Sequence, residues 1–286
     1  MTESLTFLHT ADLHLGAPFR GLSKVSPAWA ARLVQAIAEA FDRVIDTAVS
    51  RKVDFVVISG DVFDASRASY GDYLRFFEGM RTLGKAGIPV YLITGNHDPY
   101  TSWQQSTFSL PENVHMLPAD KPGFELFRRN GKPLCIIGGR GYYNQSWPID
   151  ECIADGITRN AALAALQQRE PDVTQAPFAI GMLHTGLNLD PVKAPVNPSV
   201  LLSAGMDYWA CGHIHMRYIH PGEDGPRIAF SGTTALHEVL SRPDVLEDLR
   251  KHVNDSYASF FCDTMLDETR EPRDKKALRE EGLFPA

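Results

Sequence analysis

The feature that most constrains this 286-residue chain is a repeated unit, a short and nearly unbroken apolar run that stops on glycine or a polar cluster. DFVVISG at 54–60 and IPVYLITG at 88–95 are its clearest copies. A strand with one wet face alternates apolar and polar residues, so a run that is apolar throughout belongs to a strand covered on both faces. LTFLHT (5–10), KPLCIIGG (132–139), FAIGMLHT (178–185), DYWACGH (207–213) and RIAFSG (227–232) extend the series. Helical periodicity fills the gaps at 27–52, about 70–86 and near 157–169, with Pro27 suited to a first helical turn. Strands alternating with helices imply an α/β layered domain whose ligands gather outside the strand ends.

Five short motifs fall at those ends. They are D-x-H at Asp12 and His14 in HTADLHLG, GDVFD at 60–64, GNHD at 95–98, a lone His184 in MLHTG, and GHIH at 212–215. Each alone has a bland explanation. GNHD suits a turn because Gly and Asn tolerate positive φ and Asp caps helices, and the two histidines of GHIH would share a side on any extended edge. All five explanations would have to hold together, each after an apolar strand.

Taken jointly, the motifs bring carboxylate, imidazole and amide groups to one edge of a sheet. Mixed oxygen and nitrogen donors suit Mn, Fe or Zn better than an all-oxygen Ca or Mg site. A carboxylate can bridge two cations, and two cations roughly 3.5 to 4 Å apart activate water and clamp an in-line displacement at phosphorus. The pattern therefore points to a phosphoesterase centre.

The motif series resembles the calcineurin-like metallophosphoesterase superfamily. HTADLHLG with GDVFD, GNHD and GHIH is most similar to the bacterial SbcD and eukaryotic Mre11 branch of DNA repair nucleases, over about residues 5–235. The resemblance implies an α/β fold of the four-layer α-β-β-α metallophosphoesterase sandwich type. Residues 1–237 would form the catalytic domain, and 238–286 a short helical C-terminal tail with the capping domain reduced or absent. It implies that Asp12, His14 and His215 hold one metal, that Asp61 bridges to the other, and that Asn96, His184 and His213 complete the second. His97 would be catalytic, protonating the leaving oxygen or stabilising its charge. Asp64 stands where archaeal and eukaryotic Mre11 proteins usually carry histidine; a carboxylate there can accept a hydrogen bond from His97 and favour its protonated form, so an Asp64–His97 dyad is expected, with helix capping as a second use of Asp64. The implied cofactors are two divalent metal ions, manganese foremost and Fe, Zn or Mg as alternatives. The implied partners are DNA as substrate, a second copy of the chain docked through helices near 70–86 and 100–110, and an ABC-type ATPase of the SbcC/Rad50 kind. About fifty residues follow FSGTT, too few for both a capping domain and an ATPase-gripping helix, so the ATPase is the weaker expectation.

Other residues near the motifs carry open readings. Asp98 is expected to brace the GNHD turn. Arg20 and Arg140 lie on loops that border the cleft, as solvated side chains or as phosphate-binding ones. Tyr142, Tyr143 and Trp147 would stack bases or close the core edge. Five of the ten histidines, His9, His115, His220, His237 and His252, have no motif role.

Composition sets the remaining bounds. Hydrophobic residues at 44% and charged residues at 22% are ordinary for a folded globular chain. Four scattered cysteines without a CxxC pair suggest reduced thiols and neither a disulfide framework nor a thiolate zinc site. The N-terminus lacks a signal-peptide pattern and no apolar run is long enough to span a bilayer, so no membrane association and a cytoplasmic location are expected. The net charge of -7 would repel a polyanion at long range unless bound cations or a local basic patch reverse the field. The sequence reading is thus a two-metal DNA exonuclease or endonuclease acting in repair. Its alternatives are a phosphomonoesterase or phosphodiesterase of small molecules, and a scaffold that kept the fold without catalysis.

Overall fold

The computed structural model describes residues 4–17, 27–104, 109–220 and 227–233. The expected helical tail at 238–286, Arg20, and residues 105–108 of the expected 100–110 helix lie outside the described residues, while 109–110 are not helical. Two sheets form the centre. The first takes β1 (Phe7–Thr10), β2 (Phe55–Ser59), β3 (Val90–Ile93) and β4 (Val114–Met116) in that order, all parallel. The second runs β5 (Gly123–Arg129), β6 (Lys132–Arg140), β7 (Phe178–His184), β8 (Tyr208–Gly212), β10 (Arg227–Phe230) and β9 (Tyr218–His220). Its inner strands are parallel, and the edge strands β5 and β9 are antiparallel.

The unbroken apolar runs are explained by three packed layers of side chains. In β2, Phe55 and Val57 point between the sheets, while Val56 and Ile58 point to the outer helices α1 (Pro27–Arg51) and α2 (Tyr70–Lys85). Tyr91 and Ile93 of β3 face inward in the same way, and Val90 and Leu92 outward. In β7, Ile180 and Met182 face the first sheet, whereas Ala179 and Leu183 join Ala162 and Leu166 of α4 (Arg159–Arg169) and Leu201 of α5 (Pro198–Ser203). The expected α-β-β-α order is therefore present. Each fully buried aliphatic or aromatic side chain stabilises this stack by roughly 1.5–3 kcal/mol.

Local chemistry ends the elements where the sequence suggests. Ser69 accepts from the Asp72 N–H and the Asp72 carboxylate accepts from the Ser69 N–H, a capping box that starts α2. The apolar stripe of α2, with Phe76, Phe77, Met80 and Leu83, is buried against its own sheet, and only Tyr70 and Leu74 are left exposed. Sequence periodicity misses β5, although Asn130 and Gly131, both at positive φ, are the Asn-Gly pair that closes a two-residue hairpin into β6. It also misses β4 and β9 because three residues are too few to show a period. The short helix α3 (Tyr100–Gln104) occupies part of the 100–110 segment. No described helix is long and apolar enough to cross a membrane.

The sheets are held face to face by more than apolar contact. Ser59 Oγ donates to the Ala210 carbonyl at 2.9 Å, and Phe7 packs edge-on to Tyr208 at 5.2 Å. His9 shares this seam. Its Nδ1 lies 3.0 Å from Tyr208 Oη, its Nε2 is buried without a partner, and burial pushes its pKa down to about 4. A group whose folded pKa lies below its unfolded value binds protons preferentially in the unfolded state, so stability falls as pH drops from about 6.5 towards 4. Wild type is expected to lose on the order of 2 kcal/mol more over that range than His9→Gln, read from urea unfolding at a series of pH values. Parallel curves for the two proteins would show that His9 is not the group responsible.

Candidate metal centre

The C-terminal ends of β1, β2, β3, β7 and β8 each deliver one motif. The loops after β1 and β2 continue to pair beyond their strands, through Asp12 N–H to Gly60 O at 3.1 Å, His14 N–H to Asp61 O at 3.0 Å and Leu15 N–H to Val62 O at 2.8 Å. Asp98 ties the next loop in, as its buried carboxylate accepts from the N–H groups of Gly95 (2.8 Å), Asp61 (3.0 Å), Val62 (2.9 Å) and Phe63 (3.4 Å). This is the brace expected of Asp98. The loop after β8 is fixed by Asp12, whose two carboxylate oxygens accept from the His213 N–H at 3.0 and 3.1 Å.

Two groups of donors result. Asp12, His14 and His215 converge in one, and Asp12, Asp61 and His184 in the other. His14 Nε2 faces His215 Nε2 at 3.1 Å, and His184 Nε2 lies 3.1 Å from Asn96 Oδ1 and 3.2 Å from Asp61 Oδ2. Ligands about 2.1 Å from one cation at right angles lie about 3 Å apart, so these separations fit donors of a shared ion. Asp61 Oδ1 accepts the His97 N–H at 2.8 Å, whereas the buried Asp61 Oδ2 meets only imidazoles, His184 Nε2 at 3.2 Å and His14 Nε2 at 3.7 Å on its other side. A buried carboxylate oxygen set between two imidazoles is the position a bridging ligand needs.

The backbone is strained to achieve this. Among the described residues eight non-glycine residues have positive φ, and Asp12, His14, Asp61 and His213 are four of them. Such conformations cost of order 1–3 kcal/mol each and persist only where the surroundings over-determine them. Two glycines show how tightly. Gly60, at φ +88, would place a Cβ 2.5 Å from His184 Nδ1, and a Cβ on Gly95 would lie 2.1 Å from Asp61 Oδ1. The glycines that follow β2 and β3 are there because a candidate ligand side chain occupies the space a Cβ would take.

Charge balance in the site is dominated by burial. Burial raises the Asp12 carboxyl pKa to about 7, with the nearby Asp61 charge adding and His184 opposing. For His184, burial acts downward, but the Asp61 charge and hydrogen bond, with Asp12, raise it to about 9. Burial lowers His14 to about 3, with the Asp61 charge opposing and the neighbouring His215, His97 and His184 adding. Without metal the site therefore keeps protons between its carboxylates and His184, which divalent cations would displace.

The remaining residues divide. His97 stands at the exposed rim, its ring 5.0 Å from that of His14. Asp64 Oδ1 is 3.9 Å from His97 Nδ1, within ion-pair range and beyond hydrogen-bond reach, and Arg67 Nη1 takes its other oxygen at 3.2 Å. His213 lies outside both donor groups, and its Nε2 is 3.0 Å from Asp190 Oδ2. Asp190 carries no motif signature, and sequence reading passes over it. Arg140 is spent on the Ala119 and Asp120 carbonyls, Glu151 and the Trp147 ring, which leaves it a structural role in place of a phosphate contact. Tyr142 is buried with its ring 5.7 Å from His184, and Trp147 packs on it at 5.6 Å, so only Tyr143 of the three aromatics is exposed.

Comparison with known proteins finds the calcineurin-like phosphoesterase family profile matching residues 5–217. A Bacillus subtilis protein, YhaO, described as an uncharacterized metallophosphoesterase, is 34% identical over 247 residues, covering 85% of this chain and 56% of that protein. The DNA double-strand break repair protein Mre11 of Aeropyrum pernix is 27% identical over 270 residues, covering 90% of this chain and 57% of its own length. The chain thus spans a little over half the length of these relatives. Among solved structures, a dimetal phosphatase from Danio rerio aligns with a TM-score of 0.49 and 12% identity, over 81% of this chain and 88% of that one.

Occupation by Mn²⁺ at about a hundred times its dissociation constant is expected to stabilise the protein by about 3 kcal/mol, read as a rise in Tm. Gly95→Ala is expected to lose most of that rise, because the new methyl displaces Asp61. An equal Mn²⁺ response in the two proteins would separate Gly95 from metal binding.

Proposed function

The chain belongs to the calcineurin-like phosphoesterase family, a family of metal-dependent phosphoesterases, and from that premise we propose that it is a two-metal phosphodiester hydrolase that cleaves DNA. The observation that carries the two-metal part is Asp61 Oδ2, buried and flanked by His14 and His184 with no backbone donor on it. The DNA part is supported by relatives named as DNA double-strand break repair proteins Mre11, at 26–27% identity in the archaea Aeropyrum pernix and Methanococcus maripaludis. A repair complex with a second copy of the chain and an ABC-type ATPase belongs to the same reading.

In this reading Asp12, His14 and His215 would hold one divalent cation and Asn96, His184 and His213 the other, with Asp61 available to both. Such cations would supply Lewis-acid charge against phosphate oxygens and lower the pKa of water at neutral pH. Manganese suits the mixed oxygen and nitrogen donors, as do iron and zinc. His97 donates a proton to the leaving oxygen. Asp64 sits on the Nδ1 side of that ring, which leaves Nε2 as the nitrogen that meets the substrate. Arg67 shares the Asp64 carboxylate and so moderates the pairing.

A panel with added Mn²⁺ tests the proposal, using single- and double-stranded DNA, a bis-aryl phosphodiester and an aryl phosphomonoester. DNA cleavage is expected, reduced about 10²–10⁴-fold in kcat by His97→Asn with Mn²⁺ binding intact. Asp64→Asn is expected to cost about tenfold in kcat at unchanged KM, a smaller loss than a fully hydrogen-bonded dyad would give. Turnover of the monoester alone would replace the DNA reading with small-molecule phosphatase activity. Silence on every substrate with metal bound would mark the chain as a scaffold.

A further inference from the structure

Two histidines of the proposed second metal site differ in what holds their outer nitrogen. His184 Nδ1 lies 2.9 Å from the Ser59 carbonyl oxygen, so Nδ1 carries a hydrogen and Nε2 is the nitrogen turned towards Asp61 and Asn96, where a cation would take its lone pair. His213 is turned the other way. Its Nε2 lies 3.0 Å from Asp190 Oδ2, and its ring centroid is 5.4 Å from that of His184. A carboxylate only accepts, so the contact puts the hydrogen on Nε2 and leaves the lone pair on Nδ1.

We propose that Asp190 is a positioning residue for the metal centre, which fixes His213 in the Nε2–H tautomer so that Nδ1 is its ligating atom. The proposal rests on the two-metal reading above. Outer carboxylates on metal-bound imidazoles orient the ring and raise its basicity, and their loss weakens metal binding by about 10–100-fold.

The loop that carries Asp190 is built to hold it still. After β7 the chain folds back within a few residues, with Gly186 N–H to Lys193 O at 2.6 Å, Asp190 N–H to Gly186 O at 2.9 Å and Val196 N–H to Leu187 O at 3.0 Å. Thr185 Oγ donates to Ala194 O at 2.7 Å and accepts from the Leu187 N–H at 3.0 Å. Asp190 Oδ1 accepts the Val192 N–H at 2.8 Å, which orients the carboxylate with Oδ2 towards His213. Leu187 and Ala194, both buried, adopt positive φ, a cost that a merely connecting loop would not need. The side chains involved are partly sheltered, at 15% exposure for His213 and 31% for Asp190, enough to slow exchange of the partner for water.

Two measurements on the full chain decide the matter. Mn²⁺ titration of wild type by calorimetry is expected to show two sites; Asp190→Ala keeps the first and weakens the second at least tenfold, and Asp190→Asn, which can still accept a hydrogen bond, falls between. The tautomer of His213 is read separately, from long-range ¹H–¹⁵N correlation spectra of metal-free protein. Wild type is expected to show Nε2–H, and Asp190→Ala a mixture. An Nδ1–H tautomer in wild type, or two unaltered sites in both variants, overturns the proposal. If wild type itself binds no second ion, the two-metal reading fails and the metal role of Asp190 with it, whereas the tautomer spectrum still scores its hold on the ring. Should Asp190→Ala not fold, Asp190→Asn carries both readouts.

Discussion

Three carboxylates sit fully buried within one site, and the architecture around them is shaped by what that costs. Asp12, Asp61 and Asp98 are all at 0% exposure. Removing a carboxylate from water carries a penalty of several kcal/mol that only partners can offset. Asp98 is compensated by four backbone N–H groups, and Asp12 by the His213 N–H. Asp61 is compensated by the His97 N–H on one oxygen and faces two imidazoles with the other. The fold thus gives backbone donors to every carboxylate oxygen whose job is to hold a loop and reserves for imidazoles the one that lies in the middle of the site.

That division explains why strain and glycine gather at the same place. Parallel strands bring their C-terminal ends to one edge, but strand geometry alone aims successive side chains to opposite faces. Turning Asp12, His14 and Asp61 towards a common point requires left-handed backbone immediately after the strands, at φ values of 52°, 48° and 51°. The apolar layers supply the stabilisation that tolerates it, since Phe55, Val57, Ile93 and Ile180 stand fully or almost fully buried between the two sheets that carry these loops.

Much of this was legible in the sequence, for reasons tied to particular residues. Doubly buried strands announce themselves, and DFVVISG, IPVYLITG and FAIGMLHT fall within two residues of β2, β3 and β7. Metal-ligand types are few, so Asp12, His14, Asp61, His184 and His215 stood out once they were seen to recur at strand ends, and they meet in space. What stayed hidden depends on contacts between distant segments. Nothing in GHIH says which nitrogen of His213 is free, because Asp190 lies 23 residues away on another loop. Nor did GDVFD disclose that Arg67, three residues on, shares the Asp64 carboxylate and draws the expected dyad apart. The Asn130–Gly131 pair marks a hairpin in the sequence, but Phe124 and Leu126 of β5 alternate too weakly with polar neighbours to signal a strand alone.

The acidity of the chain, which disfavours a polyanionic substrate at long range, loses force at the centre itself. A net charge of -7 is spread over the whole chain, and at physiological salt exposed charges are screened beyond about 8 Å. Within that distance the proposed centre would set two divalent cations against the three buried carboxylates Asp12, Asp61 and Asp98, so even with all three ionised the sum is positive by about one charge. A phosphate reaching the rim beside His97 would meet that local field before the average one. Long-range steering is weak in such an arrangement, and recognition rests on contact with the centre, which suits a phosphodiester brought in by backbone contact more than one captured from a distance.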